Sequence, residues 1–202
     1  MKEKQKSILI LAGPPGTGKT YLANQIMKAN DNWHILSYDD IKESYFDKYG
    51  FNNLSEKATL GDKAWKTFYI QLDDLFQHSK KVIIDYPFSY KQEDMLTSMI
   101  NQYQYKPKTL ILYGEMHELY KRQKERDLDN ARHVGHIVTC YKDGDFPNTP
   151  DDLDDFEQFK SRCEDRQYDH FHIGNYKKIN VTHFENVNVN EILSWINHNI
   201  EN

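Results

Sequence analysis

The sequence predicts a three-layer α/β domain in which helices cover both faces of a parallel sheet. Three observations carry that reading. Five short apolar runs alternate with longer stretches of helical spacing. The first run ends in a Gly/Pro-rich turn that feeds straight into a helix. The length of 202 residues suits one domain spanning 1–202, with room for inserted helices.

Each element follows from its own pattern. Ser7–Ala12 is continuously apolar, as a strand buried on both faces must be. Tyr21, Leu22, Ile26 and Met27 then recur at helical spacing. A second strand is expected at 34–38 and a helix at 41–49, broken by Gly50-Phe51-Asn52-Asn53. Ser55 can cap a long helix to Ser79, whose stripe is Trp65, Phe68, Tyr69, Leu72, Leu75 and Phe76. Lys81–Asp85 is a third strand that ends in an acid, followed by a helix at 91–104. A fourth strand at 109–113 stops at Gly114, and a charged helix at 115–128 follows. Residues 129–150 read as loop, and 152–169 as an acidic helix. A fifth strand at 178–182 and a helix capped by Asn190, running to Ile200, complete the chain.

Composition narrows the function classes. Aromatic content of 13% and periodic apolar blocks argue against disorder, despite 28% charged residues and a mean hydropathy of −0.86. No apolar run approaches a membrane span, and Ile8–Ala12 is too short for a secretory leader. Two cysteines, Cys140 and Cys163, make no disulfide framework, so a reducing, cytoplasmic setting is expected. The net charge of −5 argues against an extended nucleic-acid partner. The acidity is local: residues 139–170 hold 4 Lys+Arg against 10 Asp+Glu.

The strongest motif is Gly13-Pro14-Pro15-Gly16-Thr17-Gly18-Lys19-Thr20, a gap-free G-x-x-x-x-G-K-[ST] phosphate loop between strand and helix. Its glycines admit backbone conformations closed to other residues and bring amide N–H groups close to phosphate oxygens. The helix that starts near Lys19, and includes Tyr21, points its N-terminus at the anion. Lys19 supplies charge for the β/γ-phosphates of ATP, and the Thr20 hydroxyl is a Mg²⁺ ligand. Asp85, at the end of the third strand, is the second expected Mg²⁺ residue.

Several phosphate-loop classes fit less well. No N-K-x-D tetrapeptide is present to read guanine. The wording GPPGTGKT is in the style of AAA ATPases, but Tyr86 stands after Asp85 where those enzymes carry a water-polarising Glu. The length is also short for such a core plus its helical lid domain. These features shift weight from hydrolysis to transfer onto a hydroxyl.

The run Ser37-Tyr38-Asp39-Asp40-Ile41-Lys42 completes a resemblance. Over about residues 7–140 the chain resembles the small P-loop kinases, which include polynucleotide 5′-hydroxyl kinases, zeta-toxin-type kinases and chloramphenicol phosphotransferases. The resemblance implies a nucleoside-monophosphate-kinase-like fold with strand order 2-3-1-4-5. It also implies acceptor-binding helices at about 41–80 and a lid at about 115–138. In the polynucleotide-kinase branch the segment reads like R-D-D-x-R, which puts the general-base role on Asp39, with Asp40 the second candidate and the expected helix cap. Tyr38 and Lys42 stand where that branch has arginines.

In these kinases arginines after the fourth strand close over ATP and neutralise the transferring group. That role falls on Arg122 and Arg126, with Arg132 a further nucleotide contact. Both helix arginines also fit surface ion pairs such as Glu118–Arg122. Arg132-His133-Val134-Gly135-His136 resembles an R-x-P-G-H stretch of some family members and reads as a lid or acceptor contact. The aromatic residues 86–90 are candidates for the acceptor pocket or for a packed turn, and 174–176 for a base contact. His133, His136, His170 and His172 lack the partners of a zinc site. Asp151, Asp152, Asp154, Asp155 and Glu157 read as a solvated helix start.

The expected activity is Mg²⁺-dependent transfer from ATP to a small hydroxyl-bearing acceptor by a monomer or homodimer. The alternatives are a polynucleotide 5′-hydroxyl kinase and a nucleotide-binding ATPase or regulator without an acceptor.

Overall fold

A computed structural model describes residues 6–142, 144 and 149–198. Five parallel strands, β1 (Ser7–Ala12), β2 (Trp33–Ser37), β3 (Lys81–Asp85), β4 (Lys106–Tyr113) and β5 (Asn175–Asn180), pair in the predicted order β2-β3-β1-β4-β5. The helices are α1 (Lys19–Ala29), α2 (Tyr38–Tyr49), α3 (Leu54–Gln77), α4 (Tyr90–Tyr103), α5 (Met116–Asp127), α6 (Phe156–Arg166) and α7 (Val189–His198). No helix among the described residues is long and apolar enough to cross a membrane.

The two-residue period of a strand sorts the apolar runs into two cores. Ile8, Ile10, Val82 and Ile84 face α3 and α4, where Phe68, Leu72, Phe76, Leu96 and Ile100 cover them. Leu9, Leu11, Ile83, Leu110 and Leu112 face the other way, onto Leu22 and Ile26 of α1, Leu119 of α5, Phe159 of α6 and Ile192 of α7. Thus β1 is buried at every position.

Strand order also builds the site. β1 and β2 both flank β3, with Leu11 and Ser37 in register with Asp85. The ends of these three strands therefore bring the loop after Ala12, the start of α2 and Asp85 to one edge of the sheet.

Several boundaries differ from the sequence expectation. Tyr38 lies in α2, not β2, because the Ser37 hydroxyl accepts from Asp40 N at 3.3 Å and starts the helix there. Ser37, not Asp40, is therefore the cap. Asn53 caps α3 in place of Ser55, with its side chain accepting from Glu56 N at 2.9 Å. β4 begins at Lys106, despite Pro107, since β5 pairs only from Lys108 onward and Pro107 has a strand partner on one side only. β5 is the polar edge strand Asn175–Asn180, held by backbone pairing to β4 where hydropathy gave no signal. Asn188, two residues before the expected cap Asn190, accepts from Glu191 N at 3.2 Å, and Ile200 lies outside the described residues.

The acidic helix is shorter than expected. α6 starts at Phe156 under an Asp155–Gln158 capping box. Asp151 and Asp152 lie outside it, in a strap described below. Within the region read as loop, a short 3₁₀ helix forms at Val134–His136, and Phe51 and Tyr141 exchange backbone hydrogen bonds of 2.8 Å each.

Candidate active site

The loop between β1 and α1 wraps tightly on its own carbonyls. Gly16 has a φ of +79°, and a Cβ there would meet the Leu119 carbonyl oxygen at 2.2 Å. Glycine is what lets the loop seat against α5. Gly18, at a φ of 78°, occupies the left-handed region just before α1 and packs under the Phe184 ring. The Thr17 hydroxyl donates to Pro14 O at 2.8 Å and fixes the turn.

Lys19 is buried. Its ammonium donates to Gly13 O at 3.0 Å and Pro14 O at 2.9 Å, and lies 3.3 Å from Thr17 Oγ1. Burial pulls its pKa down to about 8, against the opposing pull of Asp85 and Asp39. Tyr21, two residues on, is exposed. The Thr20 hydroxyl donates to Asp85 Oδ2 at 2.6 Å. Burial raises the Asp85 carboxyl, with Lys19 and Thr20 opposing the shift. A hydroxyl and a carboxylate joined across the phosphate loop form an all-oxygen donor pair, which fits a hard cation such as Mg²⁺.

Asp39 sits in the first turn of α2, half-buried, and its carboxylate makes no hydrogen bond or ion pair among the described residues. Burial alone would raise its pKa. His136, Arg132, Lys42 and Arg126 together outweigh that and hold the carboxyl below its ordinary value. Asp40, its neighbour, is exposed.

The three arginines separate. Arg122 donates to Val181 O at 2.6 Å and Thr182 O at 2.5 Å, and its guanidinium lies 4.1 Å from the Phe184 ring centroid. It therefore belongs to the loop after β5, beside Gly18. Arg126 pairs with Asp127 at 3.2 Å and lies within electrostatic reach of Lys19 and Asp39. Arg132 is mostly buried between Asp127 at 3.3 Å and Glu43 at 3.8 Å, and its Nε finds no aligned hydrogen-bond partner.

Sequence reasoning missed how residues 127–141 attach. Asp39, Glu43 and Asp47 lie at i, i+4 and i+8 on α2, forming one acidic face. His136 Nε2 donates to Glu43 Oε1 at 2.8 Å. His133 Nδ1 accepts from Gly135 N at 3.0 Å, so its Nε2 is the donor to Asp47 Oδ1 at 2.9 Å. Tyr141 donates to the same oxygen at 2.7 Å. Lys57 of α3 donates to His136 O at 3.0 Å, Val138 O at 2.9 Å and Asp152 Oδ2 at 2.6 Å. Asp151 accepts from the amide and hydroxyl of Thr139 at 2.7 Å each. Phe46, Phe51, Leu60, Val138 and Tyr141 close over one another beneath this strap.

Between α2 and α3 lies a pocket of 290 Å³ lined by Tyr38, Lys42, Lys57, Gly61, Asp62 and Trp65, among others. Tyr38 stacks on Trp65 at 4.2 Å and donates to Gly61 O at 3.1 Å. Tyr86 packs edge-on against both rings, while Phe88 is fully buried, so the aromatic run after Asp85 supports this wall from behind. Residues 175 and 176, expected near the base, lie level with the middle of β1 and not with its phosphate-loop end: Asn175 is in register with Lys108, the partner of Leu9, and it is Lys178 that is level with Ile111, the partner of Ala12. Among the described residues no three or more His, Cys, Asp or Glu side chains are grouped to hold a metal.

The profile of a family described as AAA domain matches residues 8–137. An adenylate kinase isoenzyme 6 homolog from Schizosaccharomyces pombe is 30% identical over 77 residues, a stretch spanning 38% of each protein. Among solved structures, a candidate kinase from Chloroflexus aurantiacus superposes with a TM-score of 0.74 at 20% identity, over 98% of this chain and 97% of that one. A gluconokinase from Sinorhizobium meliloti (TM-score 0.53, 13% identity, 96% and 95% covered) and the tunicamycin resistance protein of Deinococcus radiodurans (0.53, 14%, 98% and 96%) share the architecture. At these identities the structural likeness is one of fold. Since the family profile covers well over half of its residues, the chain belongs to the AAA domain family, as a member with the fold of the small P-loop kinases.

Proposed function

We propose that this protein transfers the γ-phosphoryl group of ATP to a hydroxyl of a small acceptor held between α2 and α3. The observation that carries the reading is Asp39. Its carboxylate is held ionised, has no partner among the described residues, and stands within electrostatic reach of Lys19 on one side and Lys42 on the other. An ionised, unpaired carboxylate near the phosphate loop, on the helix whose Tyr38 and Lys42 line the pocket, suits a general base that accepts the acceptor's hydroxyl proton as the P–O bond forms.

The other residues take roles their surroundings support. The backbone N–H groups of Gly16–Thr20, and Lys19 once it leaves the loop carbonyls, bind the phosphates, while Pro14 and Pro15 shape the loop without donating. Thr20 and Asp85 would hold Mg²⁺, which when bound neutralises charge on the phosphate oxygens. Arg126, within electrostatic reach of Lys19 and Asp39, and Arg132, within reach of Asp39, stabilise negative charge on the transferring group. Arg122, stacked on Phe184 beside Gly18, frames the nucleotide on its other side. Tyr86 after Asp85 leaves no carboxylate at that position to polarise water, which favours an alcohol over hydrolysis.

The test is an acceptor screen with γ-labelled ATP, measuring phosphorylated product and ADP, repeated with Asp39→Asn. Product is expected from at least one alcohol class, falling about 10²–10⁴-fold in the variant with ATP affinity kept. ADP release without product across nucleosides, oligonucleotides, antibiotics and sugars overturns the kinase reading. Normal turnover in Asp39→Asn removes the base assignment.

A further inference from the structure

Asp127 is a carboxylate in a costly place. It is the last residue of α5 and is 7% exposed. A helix C-terminus favours cations over anions, and burial strips a carboxylate of water, so both surroundings work against it. Two guanidiniums offset that cost. Asp127 Oδ1 accepts from Arg126 Nη2 at 3.2 Å and Nε at 3.4 Å, and it lies 3.3 Å from Arg132 Nε. The two arginines stand within electrostatic reach of each other, and their like charges repel. One carboxylate oxygen between them offsets that repulsion. Arg132 is tied on its other side to α2, with Nη1 3.8 Å from Glu43 Oε1. Asp127 thus grips both arginines at the Nε edge, and Arg126 Nη1 and Arg132 Nη2 have no partner among the described residues.

We propose that Asp127 is a positioning residue that fixes Arg126 and Arg132 as a two-guanidinium clamp for the γ-phosphate, an inference that rests on the kinase reading above. Asp127 acts through the arginines and does not itself touch the nucleotide. Three features support this role. Arg126 lies within electrostatic reach of Lys19, and both arginines lie within reach of Asp39, so the pair belongs to the same charged cluster as the phosphate loop and the proposed base. The grip at the Nε edge leaves a terminal N–H group of each guanidinium free for a second anion, and phosphate oxygens are suited to such donors. Arginine side chains are long and flexible, so bringing two of them together at one anion costs rotamer freedom and mutual repulsion. A buried carboxylate that holds them beforehand removes both costs from the binding step. Asp127 also joins elements: Arg132 lies beyond the end of α5, so its contact ties that end to the strap and, through Glu43, to α2.

The test needs no acceptor. Calorimetry with Mg²⁺ measures binding of ADP and of the β,γ-imido analogue of ATP to the parent chain, Asp127→Asn, Asp127→Glu, Arg126→Gln and the double variant Arg126→Gln/Asp127→Asn. Asp127→Asn should weaken the analogue tenfold or more and ADP less than twofold, because only the analogue carries a γ-phosphate. Asp127→Glu keeps the charge but displaces it by a methylene, so its loss should have the same direction and be smaller; it carries the test if the asparagine variant does not fold. In the Arg126→Gln background Asp127→Asn should cost markedly less than in the parent, the non-additivity expected of a residue that works through its neighbour. Equal losses for ADP and the analogue show a general structural role and overturn the proposal. Tighter analogue binding in Asp127→Asn shows a carboxylate that competes with phosphate for the arginines, and overturns it too. So do unchanged binding in both Asp127 variants and fully additive effects with Arg126→Gln. Each of these results leaves the kinase reading standing, whereas a parent chain that binds neither nucleotide removes the phosphate-loop assignment and this inference together.

Discussion

Lys57→Met removes one ammonium and tests whether residues 132–141 are held to the acceptor helices as a unit. Methionine keeps most of the aliphatic stem, which packs with the ammonium 5.5 Å from the Phe51 ring centroid, so the change is mainly one of charge and hydrogen bonding. What is lost is a donor to two carbonyls and to Asp152 at 2.6 Å. Removing one member of a buried ion pair costs about 3–5 kcal/mol. Asp152 has a side chain 35% exposed and can regain water, which puts the expected loss at the lower end, about 3 kcal/mol. That is about two decades in an opening equilibrium. The assay is native-state hydrogen exchange. Amides of 135–141 should lose about 100-fold protection, while those of β1 exchange as before. With Arg132 and His136 no longer fixed beside Asp39, turnover should fall further than ATP affinity. A protection loss under tenfold at 135–141, or one spread equally over the sheet, refutes the strap as a local tether.

Two further outcomes follow from perturbed groups. Burial pulls Lys19 down to about 8, and on the proposed reading ATP is bound by its protonated form, so affinity should be full below about pH 8 and weaken as pH rises through it. Calorimetry at pH 8.5 in buffers of different ionisation enthalpy should show proton uptake that disappears in Lys19→Met; uptake unchanged in that variant refutes the assignment. Cys163 is buried and its thiol is pushed up to about 12 by burial, whereas Cys140 is exposed. A thiol reagent should therefore modify one cysteine rapidly in the native chain and the second only on unfolding; two equally fast thiols refute the packing around α6.

The fold was legible where the signal is local and strong. The apolar runs of β1 and β3 are buried on both faces, so hydropathy alone marks them, and the phosphate loop is marked by its spacing. β5 was misplaced because an edge strand is held by backbone pairing to β4 and needs no apolar side chains at its start. Lys57 was invisible because its partners lie 79, 81 and 95 residues away, and on α3 it reads as one more helix lysine. The acidic face of α2 did leave a mark, the spacing of Asp39, Glu43 and Asp47. Spacing alone does not distinguish a solvated face from one covered by His133, His136 and Tyr141. Arg122 and Arg126 share a helix and an i, i+4 spacing, yet one bonds to the loop after β5 and the other faces Lys19; that division is set by tertiary contacts.

Net charge misleads about this site for a physical reason. The excess of acid lies in 139–170, and several of those carboxylates have fixed structural work. Asp151 holds Thr139, Asp152 neutralises Lys57, Asp154 pairs with Arg162 at 2.5 Å, and Asp155 caps α6. Each such pairing cancels charge locally and contributes little field beyond its neighbours. Around Asp39 the balance is reversed: His136, Arg132, Lys42 and Arg126 all act on one carboxylate. A chain that is acidic overall therefore still sets one carboxylate, Asp39, where cationic neighbours hold it ionised.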